Sequence, residues 1–218
     1  MPEVCSSKGR AQLEGVVFVG QTLAPLFLND PAHGALDEEL AAMAALDVDA
    51  AAEEWPFVSA DQARGALDLM KQGLTEGPHS EDLIWEYRRL FVGPAKMPCP
   101  PWGSVYTDRD CVVFGASTLA LRAWMRASGI QRLGDEKTPE DHIGLMLALM
   151  AWISQEKPEL LKDFLLDHLL PWSSHYLSQL DEAARQPFYK GLAQITKMSL
   201  EGMQEAFGLE VTYPRFYR

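Results

Sequence analysis

Asp141 and His142 place a carboxylate beside an imidazole, the residue types of acid–base catalysis. Neighbours on a helix point about 100° apart, so the two do not form a dyad by themselves. Asp141 has a local duty instead. Thr138, Pro139 and Asp141 read as N-cap, N1 and N3 of a helix, where an N3 carboxylate can return to the cap backbone. His142 lies in the same first turn without that duty; near the positive end of a helix dipole it is expected to be neutral, free to donate or accept a hydrogen bond.

The other histidines, His33, His79, His168 and His175, are scattered. His168 and His175 could share a helical face, but Pro171 between them predicts a break. No metal-ligand spacing emerges, nor a G-x-S-x-G elbow, an H-E-x-x-H pair, a phosphate-binding loop or a G-x-G-x-x-G turn. Cys5, Cys99 and Cys111 are odd in number and far apart, which argues against a disulfide framework and for a reducing compartment.

A second candidate is PCPPWGSVY, residues 98–106, where three prolines, a tryptophan and a glycine interrupt helix-patterned sequence. Each proline lacks a backbone donor and pushes the residue before it toward extended geometry, so this run is a loop. Just before it, Tyr87, Leu90 and Phe91 fall at i, i+3 and i+4. They form either an apolar helix edge covered by the loop or, with Trp102, an aromatic groove for an apolar peptide segment. Spacing does not separate these readings.

The elements that position these residues are helical throughout. Apolar periodicity predicts helices from Ala11 to Leu28, over 36–46, from a Ser59 cap to about Leu74, and from a Ser80 cap to Phe91. An irregular connection follows over about 92–110, then, beyond Cys111, a helix over VVFGASTLALRAWMRASG with Gly129 at its C′ position. The next, through IGLMLALMAWI, is apolar nearly all round and belongs in the centre of a bundle; Lys157-Pro158 ends it. Further helices are expected over about 159–169, 171–184 and Pro187 to Phe207, followed by an aromatic tail over 209–218 that packs back on the body. The expectation is one all-α domain spanning 1–218, with no strands.

The formal charge of −12 disfavours a nucleic-acid backbone or an anionic membrane surface and favours a cationic partner. The N-terminus lacks a signal-peptide pattern and no run reaches about 18 apolar residues, so a cytoplasmic location is expected.

E-Y-R-R-L-F-V-G-P, P-P-W-G-S-V-Y and P-E-D-H-I-G, in this order in an all-α chain, resemble the TorD/DmsD/NarJ family of redox-enzyme maturation chaperones, and P-P-W-G-S-V-Y is most similar to its DmsD branch. P-W-x-x-x-Y-L and P-F-Y-K-G-L-A extend the resemblance over nearly the whole chain. It implies a cytoplasmic chaperone without catalytic residues, cofactor or metal. Such a chaperone binds the twin-arginine signal peptide of a molybdopterin-dependent reductase and withholds it from export until the cofactor is loaded. The implied peptide-binding residues are Tyr87, Leu90, Phe91, Pro101, Trp102, Gly103, Ser104, Asp141 and His142. Relatives often carry tryptophan at the Tyr87 position. A monomer is expected, while the resemblance leaves open a dimer that exchanges helices, with the 92–110 connection as the hinge. Two readings from other classes are a small all-α enzyme, such as a hydrolase using Asp141 and His142, and a helical adaptor for another assembly partner.

Overall fold

The computed structural model describes residues 7–131 and 138–218. Cys5 lies outside the described residues. The chain is all-α: among the described residues no strand forms, and the extended pairing is an isolated antiparallel bridge between Trp102 and His142.

Two long helices make the centre. α1, Ser7–Leu28, packs along α8, Ile143–Glu156. α8 buries Ile143, Met146, Leu147, Met150 and Ile153 completely, as its apolar surface all round requires. The helices approach closely at Gly20, where a Cβ would lie 2.6 Å from the Leu147 carbonyl oxygen and 2.8 Å from Ala151 Cβ. α1 is long and apolar enough, by length and composition, to cross a membrane, contrary to the reading of its sequence. Here it is a core helix, with Val16, Val19, Leu23, Leu26 and Phe27 buried.

Around this pair, α2 (Asp37–Ala44), α3 (Val48–Glu54) and α4 (Ala60–Gln72) lead to α5 (Glu81–Tyr87), which runs into a π-helical turn over Arg88–Val92. α3 is too short to show an apolar stripe in the sequence; Asp47 starts it by accepting from the Ala50 N–H at 3.2 Å. Ser59 opens α4 without the expected reciprocal box, since its hydroxyl bonds to Gln62 Oε1 at 2.7 Å and no backbone amide donates to it. A short α6 (Ser104–Thr107) sits inside the 92–110 connection, and α7 (Ala116–Ala127) ends before Gly129, whose φ is 65°. α9 (Leu161–Phe164), α10 (Leu170–Ala183) and α11 (Pro187–Ala206) complete the body, with α11 packed on α4 and α10.

Three boundaries differ from the sequence reading. α7 starts at Ala116, not at Val112, because Phe114 at φ 66° and the extended Gly115 hold the chain out of helix before it. α8 starts at Ile143, not behind a Thr138 cap, because Asp141 and His142 are drawn out to pair with the 101–104 loop. Nor does Pro171 break the chain. A π-helical turn, Leu165–Leu169, precedes it and the helix continues as α10. The wider turn shifts the amide bonding from i−4 to i−5, as in Leu170 N to Leu165 O, so a residue without a donor is accommodated.

Candidate functional site

The proline-rich run is held by the rest of the protein at several points. Tyr106, fully buried, donates its hydroxyl to the Pro100 carbonyl at 2.8 Å, and Arg218 Nη2 donates to the Met97 and Pro98 carbonyls at 3.0 Å each. Cys99 is buried beneath, where desolvation pushes its thiol up to about 11. The run then pairs with the residues that precede α8: Gly103 N donates to Asp141 O at 3.1 Å and Ile143 N to Pro101 O at 2.8 Å. Pro101, Trp102, Gly103, Ser104, Asp141 and His142 are thereby gathered into one patch, although 37 residues separate Ser104 from Asp141.

Asp141 is 3% exposed. Its Oδ2 accepts from Ser104 N at 2.7 Å, while its Oδ1 has no partner of hydrogen-bonding geometry. Desolvation holds its carboxyl above the usual aspartate value, against the opposing pull of Ser104 and of the Thr118 hydroxyl. His142 is the true N-cap of α8: Nδ1 accepts from Gly144 N at 3.1 Å, which leaves the proton on Nε2. The Trp102 ring meets the imidazole edge-on, with centroids 5.6 Å apart. Asp141 and His142 therefore face different partners, and the enzyme reading loses its dyad.

Burial lowers the His142 pKa from about 6.5 to about 4. As pH falls below 6.5 the unfolded chain takes up the proton first, so the stability present above pH 6.5 is lost progressively toward pH 4. The loss is about 3 kcal/mol in all. Asparagine can cap without titrating. Urea unfolding at pH 7 and pH 4.5 is expected to show wild type losing about 2 kcal/mol more than His142→Asn, while an equal loss in both would assign the acid limb elsewhere.

Tyr87, Leu90 and Phe91 lie deeper. All three are buried, with Phe91 against Phe27 and Tyr189 (centroids 5.8 Å each) and the Tyr87 hydroxyl donating to the Phe27 carbonyl at 3.3 Å. Phe27 and Leu28 in turn crowd Gly144, two residues after His142. The aromatic cluster thus supports the start of α8 from beneath and does not line an open groove in this conformation.

The open space lies on the other side of Gly103 and Asp141. A cavity of about 590 Å³ is bounded by these two residues, by Ser117 and Leu121 of α7, by Leu166, Asp167 and His168 of the π turn, and by Trp172 of α10. Glu210, Thr212 and Pro214 of the C-terminal tail close the remaining side. Three carboxylates stand among apolar walls, and no lysine or arginine lines the space. Burial lowers the pKa of His168, which favours its neutral form. The arrangement suits a ligand that carries positive charge beside apolar groups.

A second cavity of about 550 Å³ lies between the end of α4, α5 and the turn before α11. Its buried carboxylate is already satisfied: Glu86 accepts from Arg89 at 2.7 and 2.8 Å and from Arg185 N at 2.6 Å. The spare acceptor of Asp141 marks the first cavity as the stronger candidate. Asp167, Trp172 and Glu210 were not among the sequence-predicted residues. An exposed acid on a helix and a buried indole are ordinary in their local contexts, and the faint sequence signals were the aromatic tail and P-W-x-x-x-Y-L.

Residues 58–178 match the family described as the nitrate reductase delta subunit. The chain belongs to this family. The match runs from just before α4 into α10, through the paired patch and most of the cavity wall. Among relatives, the chain is 42% identical over 142 residues to the Tat proofreading chaperone DmsD of Salmonella typhimurium, covering 64% of this chain and 70% of that protein. It is 41% identical over 150 residues to a Haemophilus influenzae protein named as a probable Tat proofreading chaperone DmsD, covering 69% and 71%. It is 29% identical over 122 residues to the chaperone protein YcdY of Escherichia coli, covering 54% and 61%. Within the TorD/DmsD/NarJ family this chain stands on the DmsD branch. Among the described residues, no group of three or more His, Cys, Asp or Glu side chains is placed to hold a metal ion.

Proposed function

We propose that this chain is a non-enzymatic maturation chaperone that binds the twin-arginine signal peptide of an oxidoreductase precursor and delays its export until the enzyme is loaded with its cofactor. The client class is a molybdopterin-dependent reductase of the dimethyl-sulfoxide-reductase type, and the site of action is the cytoplasm. The protein acts as one all-α unit and as a monomer, without nucleic acid, stable membrane insertion or a cofactor of its own.

One observation carries this reading. Asp141, 3% exposed, lines a mostly apolar cavity that no lysine or arginine lines, and its Oδ1 is buried at that wall without a partner of hydrogen-bonding geometry. A guanidinium entering there pairs with the Asp141 carboxylate through a charge-assisted hydrogen bond, and the apolar segment after it can lie against Leu121, Leu166 and Trp172. Pro101, Trp102, Gly103, Ser104 and His142 fix the position of Asp141. Tyr87, Leu90 and Phe91 hold the underlying helix junction and become direct contacts if the groove opens on binding. The naming of two relatives as Tat proofreading chaperones supports the same ligand.

Calorimetric titration with a synthetic twin-arginine leader from a reductase of the same cell is the direct test. The expected result is saturable one-to-one binding, with competition by the full precursor. Absence of binding to both leader and precursor overturns the proposal.

A further inference from the structure

The C-terminal tail is pinned at its ends and crosses the cavity between them. Leu209 is buried where α11 ends, with its N–H donated to Gln204 O at 2.9 Å. At the other end Tyr217 N donates to Tyr106 O at 2.9 Å, and His175 Nε2 lies 2.7 Å from Arg218 O. The Phe216 ring stacks on the His175 imidazole at 3.9 Å and 2°. Arg218 reaches back to the proline-rich run through its bonds to Met97 and Pro98. Between these anchors Glu210, Thr212 and Pro214 form a wall of the cavity, and Glu210 is exposed with no ion pair among the described residues.

An extended peptide sends consecutive side chains to opposite faces. Two adjacent guanidiniums therefore need carboxylates on two different walls. Asp141 belongs to the wall made by residues 101–104 and 141–143. The strap is a separate wall, anchored at Leu209 beside Glu210 and tied to the proline-rich run by Arg218 and Tyr217, so the backbone that carries this exposed acid stays at the cavity rim.

We propose that the strap of residues 209–218 is a recognition element of this site, in which Glu210 receives one guanidinium of the leader's basic pair while Asp141 receives the other. This assignment rests on the twin-arginine reading above. It makes the C-terminal tail a determinant of leader specificity, beyond the nine residues assigned to binding from the sequence.

The experiment is a double-mutant cycle by calorimetry. Wild type, Glu210→Gln, Asp167→Asn and Asp141→Asn are each titrated with leaders carrying Arg-Arg, Arg-Gln or Gln-Arg at the pair. Glu210→Gln is expected to weaken the Arg-Arg leader about tenfold. That penalty should vanish with one single-arginine leader, and the Asp141→Asn penalty with the other. Binding of the Arg-Arg leader by Glu210→Gln within twofold of wild type overturns the strap assignment, as does a penalty of equal size with all three leaders or an effect confined to Asp167→Asn. If wild type itself binds no leader, the proposed function and the strap assignment fall together; if wild type binds and Glu210→Gln is indistinguishable from it, the strap assignment falls alone.

Discussion

Asp141→Asn is expected to weaken leader binding by roughly 30- to 1,000-fold, the loss of about 2 to 4 kcal/mol for one member of a buried charge pair. The amide oxygen can still accept from Ser104 N, so the pairing of residues 101–104 with 141–143 survives. Stability should move the other way. Burial raises the Asp141 pKa, so the stability of its protonated form is present at low pH and is lost as pH rises through the folded-state value. Wild type at pH 7 bears that loss and the asparagine variant does not. The expected thermal melt at pH 7 is therefore equal to or higher than wild type, with the gap narrowing toward pH 4. Lost binding together with a lower melting temperature and a disordered near-ultraviolet spectrum would make Asp141 structural.

Gly103→Ala is expected to damage fold and site together. The backbone there, at φ −59° and ψ −40°, suits any residue, so the effect is steric. A Cβ would lie 2.7 Å from Trp172 Cε2 and 2.8 Å from its Nε1. The indole has little freedom to retreat: Trp172 is 3% exposed, its Nε1 donates to His168 O at 2.9 Å, and its ring stacks parallel to Tyr106 at 6.4 Å. Overpacking of this kind costs about 2 kcal/mol, which lowers Tm by roughly 4–8 °C in a chain of this size. Because Gly103 and Trp172 both line the cavity, leader affinity should also fall by about tenfold or more. Gly65→Ala is the matched control, since nothing lies within 4 Å of its Cβ in the exposed middle of α4. That change should leave binding intact and raise stability by about 0.5 to 1 kcal/mol. A Gly103→Ala protein that melts and binds like wild type would mean that the indole moves freely.

The helices were legible wherever a repeating apolar stripe or a local stop signal carried them. α8 announced its central place through a surface apolar all round, and Gly129 and Lys157-Pro158 marked ends that the structure keeps. The errors fell where a distant contact outweighed a local rule. Thr138, Pro139 and Asp141 spell a helix start, but two backbone hydrogen bonds to Pro101 and Gly103, with the Asp141–Ser104 bond, hold Asp141 in a turn and His142 extended and pass the capping role to His142. Pro171 spells a break, but the preceding π turn absorbs it.

For the site, unusual composition marked the proline-rich run in one dimension, and the resemblance of P-P-W-G-S-V-Y and P-E-D-H-I-G to a known family pointed to residues 101–104 and 141–142. The sequence by itself determined an all-α chain with a central apolar helix, a rigid proline-rich connection and an acidic character, since these depend on composition and short-range spacing. Only the tertiary structure decided that 101–104 and 141–143 pair, that Tyr87, Leu90 and Phe91 lie inside, and that Asp167, Trp172 and Glu210 share a cavity with Asp141. Those facts turn on which faces meet after the chain has crossed itself. A carboxylate's meaning changes with its surroundings: Glu210 and Asp141 are the same chemical group, but one is in water and the other is 3% exposed with an unpaired oxygen.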